Sequence, residues 1–147
     1  MRSFLFIFFF FFFASISNTS VVADESLDTP CIIFDRFHMY VINNIPAEIK
    51  LHAYSKDDDL GYHILPYYAF YDWSFCFGPK TLFSGQLWWG SKYIALNLVD
   101  NHVHKMCDRQ MFGVRHCYWL VRPEGFYIGV KNNTWPDASW VFQTPWP

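Results

Sequence analysis

YDWSFCFG, residues 71–78, places an aromatic side chain at every second position. Successive side chains of a β-strand point to opposite faces, so a period of two predicts a strand with one aromatic face. That face would carry Tyr71, Trp73, Phe75 and Phe77, and the opposite face Asp72, Ser74 and Cys76. Gly78 and Pro79 would then turn the chain. The stretch therefore indicates a half-buried strand that packs on a hydrophobic core.

The same period recurs on both sides of this strand. Stretches rich in aromatic and β-branched residues alternate with Gly, Pro, Asn and Asp, which favour turns. The candidate strands are FHMYVIN (37–43), EIKLHAY (48–54), YHILP (62–66), TLFSGQLWWG (81–90), KYIALNLVD (92–100), HCYWLVR (116–122) and FYIGV (126–130). Short strands at intervals of roughly ten residues predict an all-β fold, an antiparallel β-sandwich of two sheets.

Gly85 lies inside a candidate strand, which indicates a bulge or the close approach of another chain segment. NHVHKMCDRQMFG (101–113) is predicted to be a polar loop. No segment shows the 3.6-residue period of an amphipathic helix.

The chain is predicted to hold one domain behind a signal peptide. Residues 1–23 combine a basic start, a short apolar run and small residues before the cleavage point, as secretory signal peptides do. The apolar run is shorter than the roughly 20 residues of a membrane span. An extended leader (24–36), the β-sandwich domain (37–131) and an irregular C-terminal tail (132–147) are expected to follow. We therefore expect a secreted, extracellular protein without membrane insertion after cleavage.

The chain carries 11 basic and 13 acidic residues, a formal net charge of −2. Binding to nucleic acid or to an anionic membrane depends on a basic surface that releases counterions. The composition therefore argues against nucleic acid as a partner. The chain also has no GxSxG motif of a nucleophilic serine.

SKDDDLG (55–61) contains three consecutive carboxylates. Calcium takes about six to eight oxygen ligands, and consecutive side chains cannot all face one ion. Asp side chains accept hydrogen bonds from nearby backbone N–H groups, and Gly61 can take the positive φ that closes such a turn. We therefore interpret Asp57, Asp58 and Asp59 as a structural or recognition turn, with calcium binding and catalysis as the alternatives.

The histidines suggest a second kind of site. His102 and His104 could bind zinc with His116, or could act as acid and base in a secreted hydrolase or nuclease. The spacing fixes no carboxylate ligand, and a nuclease would also need cations for the phosphate. The histidines are therefore interpreted as ordinary loop residues, and no catalytic residue, metal or cofactor is predicted.

Trp88 and Trp89 could form a stacking platform for sugars, as in a carbohydrate-binding module. Aromatic residues of a small sandwich more often belong to the core. The core interpretation is therefore preferred for both residues.

Asn132–Asn133–Thr134 is an N-glycosylation sequon. It follows the last predicted hairpin, so Asn132 should be exposed to solvent. In a secreted chain it is a predicted glycosylation site.

The four cysteines are Cys31, Cys76, Cys107 and Cys117. In an oxidising compartment, disulfides are expected rather than a metal site. Four cysteines allow three pairings, and their spacing does not choose among them.

Several motifs also follow one another in a characteristic order. They are VINNIP (41–46), LHAYSKDDDLGYHIL (51–65), WSFCFGPKTLFSGQLWW (73–89) and CYWLVRPEGFYIG (117–129). Together they resemble the plant self-incompatibility S-protein homologues over roughly residues 40–130. The resemblance implies a small secreted plant protein with a disulfide-linked antiparallel β-sandwich and no enzymatic activity.

The resemblance further implies a signalling ligand that binds a cell-surface receptor protein through inter-strand loops. The corresponding loops here are Ser55–Gly61 and Asp100–Gly113. The candidate recognition residues are Asp57, Asp58, Asp59, His102 and His104.

Two positions depart from the pattern of that family. Ala53 and Gly85 stand where the family usually has cysteines, whereas Cys107 and Cys117 match its later pair. On this basis we hypothesise the disulfides Cys107–Cys117 and Cys31–Cys76.

Overall fold

The structure is a computed structural model that describes residues 31–107 and 114–147. The predicted signal peptide (1–23), most of the predicted leader (24–36) and the end of the predicted polar loop (108–113) lie outside the described residues. Within the described part of the chain, no helix is long and apolar enough to cross a membrane.

Nine strands and one short helix make up the described residues. In chain order they are β1 (Asp35–Asn43), β2 (Ile49–Tyr54), β3 (Asp59–Leu65), β4 (Phe70–Phe77), β5 (Phe83–Trp89), β6 (Lys92–Val99), α1 (Asn101–Cys107), β7 (Arg115–Arg122), β8 (Gly125–Gly129) and β9 (Val141–Thr144). Every strand predicted from the period of two is present. The first begins two residues earlier than expected, inside the span predicted as leader.

The strands form two sheets. One has the order β4-β1-β7-β8-β9 and the other the order β3-β2-β5-β6. Neighbouring strands run antiparallel except β1 and β7, which are parallel, with Phe37 opposite Arg115. The predicted all-β antiparallel sandwich is therefore confirmed, with one parallel pair that the local patterns did not indicate.

The core lies between the inward faces of the two sheets. Val41 of β1, Leu51 of β2 and Leu87 of β5 are completely buried in it. Trp73 of β4 is also buried, so the aromatic face of residues 71–78 does face the core, as predicted. Burying an aliphatic or aromatic side chain of this size contributes about 1.5–3 kcal/mol, so this shared core is what holds the two sheets together.

Gly85 is a point of close approach, as its position in a strand suggested. A Cβ atom built at Gly85 would lie 2.6 Å from Leu98 Cδ1. Gly85 of β5 and Leu98 of neighbouring β6 are both buried. The absent side chain therefore makes room for Leu98 inside the core.

Helix α1 occupies most of the segment predicted to be a polar loop, so that prediction is wrong over Asn101–Cys107. Asp100 caps the helix, because its Oδ1 accepts a hydrogen bond of 2.9 Å from the Val103 N–H. Val103 and Cys107, one turn apart, are buried. The helix was missed because seven residues supply only these two inward positions.

The C-terminal tail, predicted to be irregular over 132–147, contains strand β9, so the prediction does not hold there. β9 pairs antiparallel with β8 at the edge of the five-stranded sheet. Trp140 and Trp146, on either side of β9, are both buried. Trp146 packs on Phe126, with 4.6 Å between the ring centroids. Contacts of these indoles with the sheet therefore hold the tail in place.

Two disulfides cross-link the described chain, one over 45 residues and one over 10. Cys31 is bonded to Cys76 of β4, and Cys107 of α1 is bonded to Cys117 of β7. These are the two pairs hypothesised from the resemblance. They fix the segment before β1 and the helix to the five-stranded sheet.

Candidate recognition site around the acidic turn

The acidic turn between β2 and β3 is held by Ser55. The Ser55 Oγ accepts hydrogen bonds from the N–H groups of Asp57 (3.2 Å) and Asp58 (3.0 Å). The Ser55 N–H in turn donates to the Asp58 carbonyl oxygen over 2.7 Å. A side-chain hydroxyl with bonds to following N–H groups is a common way to stabilise a turn. The backbone is thus fixed without using the carboxylates of Asp57 or Asp58.

Asp59 differs from its two neighbours. Its Oδ1 accepts hydrogen bonds from the Gly61 N–H (2.9 Å) and from His52 Nε2 (2.8 Å). The bond from Gly61, followed by the bond from His52, lowers the pKa of the Asp59 carboxyl below its usual value. Gly61 has a φ of 79°, which glycine adopts without strain, as the sequence suggested. Asp59 therefore shapes the start of β3.

Asp57 and Asp58 are the free carboxylates of the turn. Both residues are exposed, and neither side chain accepts a hydrogen bond from the described residues. The three aspartates therefore divide into one structural residue and two that are available for contact with a partner. Their similarity in the sequence gave no indication of this division.

The turn forms one wall of a cleft of about 1050 Å³. The opposite wall is the connection between β4 and β5, and Phe34, Phe75 and Phe83 supply apolar surface to the cleft. Its charged residues are Lys56, Asp57, Asp58 and Lys80. The cleft therefore combines apolar surface with both signs of charge, a composition that suits a peptide or protein segment.

The two histidines predicted to lie in a recognition loop occupy different environments on α1. His102 is exposed, with Nε2 3.3 Å from Gln143 Oε1. His104 is half-buried and stacks on Phe77, with 4.0 Å between the ring centroids. Burial lowers the pKa of His104, and the nearby Arg115 charge lowers it further. His104 therefore packs against the sheet, and only His102 lies open to solvent.

The metal sites considered from the sequence are not assembled. His116 lies on β7, with Nδ1 3.2 Å from the Tyr40 hydroxyl, so it does not join His102 and His104. Among the residues that the structure describes, no group of three or more His, Cys, Asp or Glu side chains is placed to hold a metal ion.

A hydrogen-bonded group on the outer face of the five-stranded sheet was missed by sequence reasoning. His38 Nε2 lies 2.5 Å from Asp72 Oδ2, and the Ser74 hydroxyl lies 3.2 Å from His38 Nδ1. These residues alternate along β1 and β4, so a period of two places them on one face. They could have been found only by knowing that His38 pairs with Ser74 across the strands.

The hydrogen-bonded chain runs from Ser74 through His38 to Asp72, which are the residue types of a nucleophilic triad. Its exposure to solvent differs from that of a catalytic triad. Ser74 is exposed, and the His38 and Asp72 side chains are 26% and 38% exposed. Catalytic groups gain most of their effect from a site that excludes water and stabilises the oxyanion. We therefore interpret the group as a solvated polar cluster that stabilises the β1–β4 pair.

Trp88 and Trp89 lie on opposite faces of β5. Trp89 packs toward the core, where its ring centroid is 5.9 Å from that of Trp146. Trp88 faces outward and contacts Tyr62 and Tyr93. The two indoles therefore cannot form one stacking platform together.

The fold and the site define the class of this protein: a two-sheet β-sandwich domain, linked by two disulfides, that presents a braced acidic turn. The family model of plant self-incompatibility protein S1 matches residues 38–146. The chain therefore belongs to the plant self-incompatibility protein S1 family, as the motifs indicated.

One similar protein is S-protein homolog 5 of Arabidopsis thaliana, with 29% identity over 94 residues. The matched region covers 60% of this chain and 66% of that relative, just under two thirds of its length. No solved structure matches the chain.

Proposed function

We propose that the protein is a secreted, non-enzymatic recognition ligand that binds a cell-surface receptor protein through the acidic turn and the adjoining cleft. The observation that carries the proposal is the state of Asp57 and Asp58. Both carboxylates are exposed and unbonded within the described residues, on a turn whose backbone Ser55 holds. Loops on a rigid scaffold bind with little loss of conformational entropy. Membership of the self-incompatibility family supports the same role.

The charges of the site indicate what the receptor should present. Two adjacent free carboxylates favour a basic partner group, above all an arginine that can form paired hydrogen bonds. The apolar surface of the cleft, which includes Phe34 and Phe75, could then receive an apolar side chain. We therefore expect a receptor segment with a basic residue next to an apolar one.

Binding to plasma-membrane vesicles prepared from tissue of the same species tests the proposal. We expect labelled protein to bind saturably, and trypsin treatment of the vesicles to abolish the binding. The double substitution Asp57→Asn and Asp58→Asn should raise Kd about tenfold, the effect of losing roughly 1.4 kcal/mol of charge-assisted contact. Glu48→Gln removes an exposed charge in the β1–β2 connection and should leave Kd unchanged.

Three results would contradict the proposal. They are the absence of saturable binding, binding that survives trypsin, and equal affinity of the double variant and the wild-type protein. A folded double variant, checked by its near-ultraviolet circular dichroism, is needed for the third comparison.

The alternative of a hydrolase or nuclease that uses His102, His104 or His116 receives no support from their positions. His104 is packed on Phe77, and His116 lies on another element. Loop histidines acting as acid and base would have to face a common substrate. The recognition role is therefore the preferred function.

Glycosylation of Asn132 would show that the protein passes through a secretory compartment. This residue is exposed, so its sequon is accessible to glycosylation. Full-length protein made in plant cells should appear in the medium without residues 1–23, and an N-glycosidase should reduce its mass. Asn132→Gln should abolish the mass difference, whereas intracellular retention of the protein would contradict the prediction.

A further inference from the structure

The outward face of the four-stranded sheet carries a group of aromatic side chains that the acidic turn does not use. Strand register places Ile64, Lys50, Trp88 and Tyr93 side by side across β3, β2, β5 and β6. Tyr62 lies next to this row, opposite His52. We call Lys50, Tyr62, Ile64, Trp88 and Tyr93 the outer aromatic face.

The rings of this face are close together; the two tyrosines are exposed and Trp88 is half-buried. The centroid of Trp88 lies 6.1 Å from that of Tyr62 and 5.3 Å from that of Tyr93. Tyr62 is 63% exposed and Tyr93 is 44% exposed. Residues this exposed gain little from burial in the fold, and clustered exposed apolar groups mark binding surfaces.

Lys50 gives the outer aromatic face a positive charge. Its Nζ lies 4.2 Å from the ring centroid of Trp88 and 5.4 Å from that of Tyr62. Lys50 forms no ion pair with any described residue. Asp59, a carboxylate of the β2–β3 pair, is already bonded to His52 and Gly61. The ammonium therefore remains available for an external anion.

Further hydrogen-bonding groups border the rings. Gln86 pairs with His52 in the row beside Lys50 and Trp88, and its Oε1 lies 3.3 Å from His52 Nδ1. The Gln86 amide has both a donor and an acceptor, as a sugar hydroxyl has, so its outward end can bond to such a group. The surface thus offers aromatic rings, the ammonium group of Lys50 and an amide.

We propose that the outer aromatic face binds a carboxylated oligosaccharide. The C–H faces of sugar rings pack on aromatic rings, and sugar hydroxyl groups can hydrogen-bond to the Gln86 amide. The carboxylate of such a sugar would pair with Lys50. The charge of Lys50 selects a uronate over a neutral sugar, and the rings select a sugar over a simple anion. This ligand is separate from the receptor proposed above, because the outer aromatic face shares no residue with the acidic turn or its cleft.

Isothermal titration calorimetry with an α-1,4-linked oligogalacturonide of uniform length tests the proposal. We expect saturable binding of this probe and at least about tenfold weaker binding of its fully methyl-esterified form, which keeps the sugar rings and loses the charge. Polyglutamate, which has carboxylates but no sugar rings, should also bind at least about tenfold more weakly.

Variants of exposed residues locate the binding. Tyr62→Ala and Lys50→Met should each weaken oligogalacturonide binding about tenfold while the thermal midpoint of unfolding changes little. Phe142→Ala, on the other sheet, and Lys80→Met, in the cleft, are the matched controls and should bind as the wild-type protein does.

The proposal is overturned if the oligogalacturonide does not bind, if its methyl ester or polyglutamate binds equally well, or if the two variants bind like the controls. It is also overturned if light scattering shows self-association that Tyr62→Ala abolishes, because a second copy would then occupy this face. None of these results depends on the vesicle experiment with Asp57 and Asp58.

Discussion

The imidazole of His104 lies against the ring of Phe77, with 4.0 Å between their centroids and 15° between their planes. Burial in this contact is the main reason why the pKa of His104 lies below its ordinary value of 6.5. Arg115 and Lys105 lower it further, whereas Asp35 opposes the shift. The folded protein therefore favours the neutral ring.

Protonation of His104 should lower the stability of the folded protein as the pH falls. Below about pH 6.5 the unfolded chain takes up a proton at His104 more readily than the folded protein does. The contribution of the neutral ring is thus complete above the unfolded pKa and is lost as the pH falls toward the folded pKa. Urea unfolding at pH 7.5 and pH 5.5 should show a smaller decrease for His104→Phe than for the wild type. His102→Gln should behave as the wild type, and equal decreases for all three proteins would contradict the prediction.

The stability of the acidic turn should depend on Ser55 more than on Asp57 and Asp58. Ser55→Ala removes the acceptor of two N–H groups and should cost about 1 kcal/mol of unfolding free energy. The double substitution Asp57→Asn and Asp58→Asn should change the unfolding free energy by less than about 0.5 kcal/mol, because neither carboxylate bonds to a described residue. Chemical denaturation measures both effects. A larger loss of stability for the double aspartate variant than for Ser55→Ala would assign the carboxylates a structural role. That result would remove the basis of the recognition proposal.

Gly85→Ala should destabilise the core. The added Cβ would lie 2.6 Å from Leu98 Cδ1, and overpacking of this kind costs about 1–3 kcal/mol. Leu98→Ala alone should cost about 2–5 kcal/mol through the cavity it leaves. The double variant should lose less than the sum of the two, because the smaller side chain at position 98 makes room for the new Cβ. Additive losses would show that the two positions do not compete for space.

Removal of the disulfide Cys31–Cys76 should lower the unfolding free energy substantially. The two residues are 45 positions apart, and closing a loop of that length in the unfolded chain corresponds to about 4 kcal/mol. Substitution of both cysteines by alanine, with Cys107–Cys117 intact, and measurement by urea denaturation tests this. Since Cys76 is exposed, little of the loss should come from packing. A loss below about 1 kcal/mol would contradict the loop-closure explanation.

The strands could be predicted from the sequence because their signal is local. Trp73 and its alternating neighbours show which side of β4 meets the core whatever the partner strand is. The same holds for Leu51 and Leu87. The parallel neighbour of β1 could not be predicted, because no residue of β1 specifies β7 as the adjacent strand.

The helix and the last strand depend on contacts far along the chain. Val103 and Cys107 alone cannot establish a helical period, and the disulfide to Cys117 adds a constraint that spacing does not reveal. Strand β9 is short and mostly exposed, and the burial of Trp140 and Trp146 on either side determines its position. In both cases tertiary contacts outweigh the local pattern.

The candidate site was found in part. SKDDDLG was interpreted as a turn; residues 55–58 do connect β2 and β3, whereas Asp59 and Gly61 already belong to β3. The division between Asp59 and its two neighbours depends on where His52 and Gly61 lie. The opposite orientations of Trp88 and Trp89 follow from strand alternation. The grouping of Trp88 with Tyr62 requires the order of β3, β2 and β5.

The parallel neighbour of β1 has a consequence for biosynthesis. Phe37 and the residues after it are synthesised before β2 to β6, whereas their partners from Arg115 onward are synthesised after those strands. A growing chain therefore carries an open edge of β1 until β7 has been made, and pairing over such a separation is slow. Protection of β1 by chaperones until β7 has been made should therefore raise the yield of folded protein.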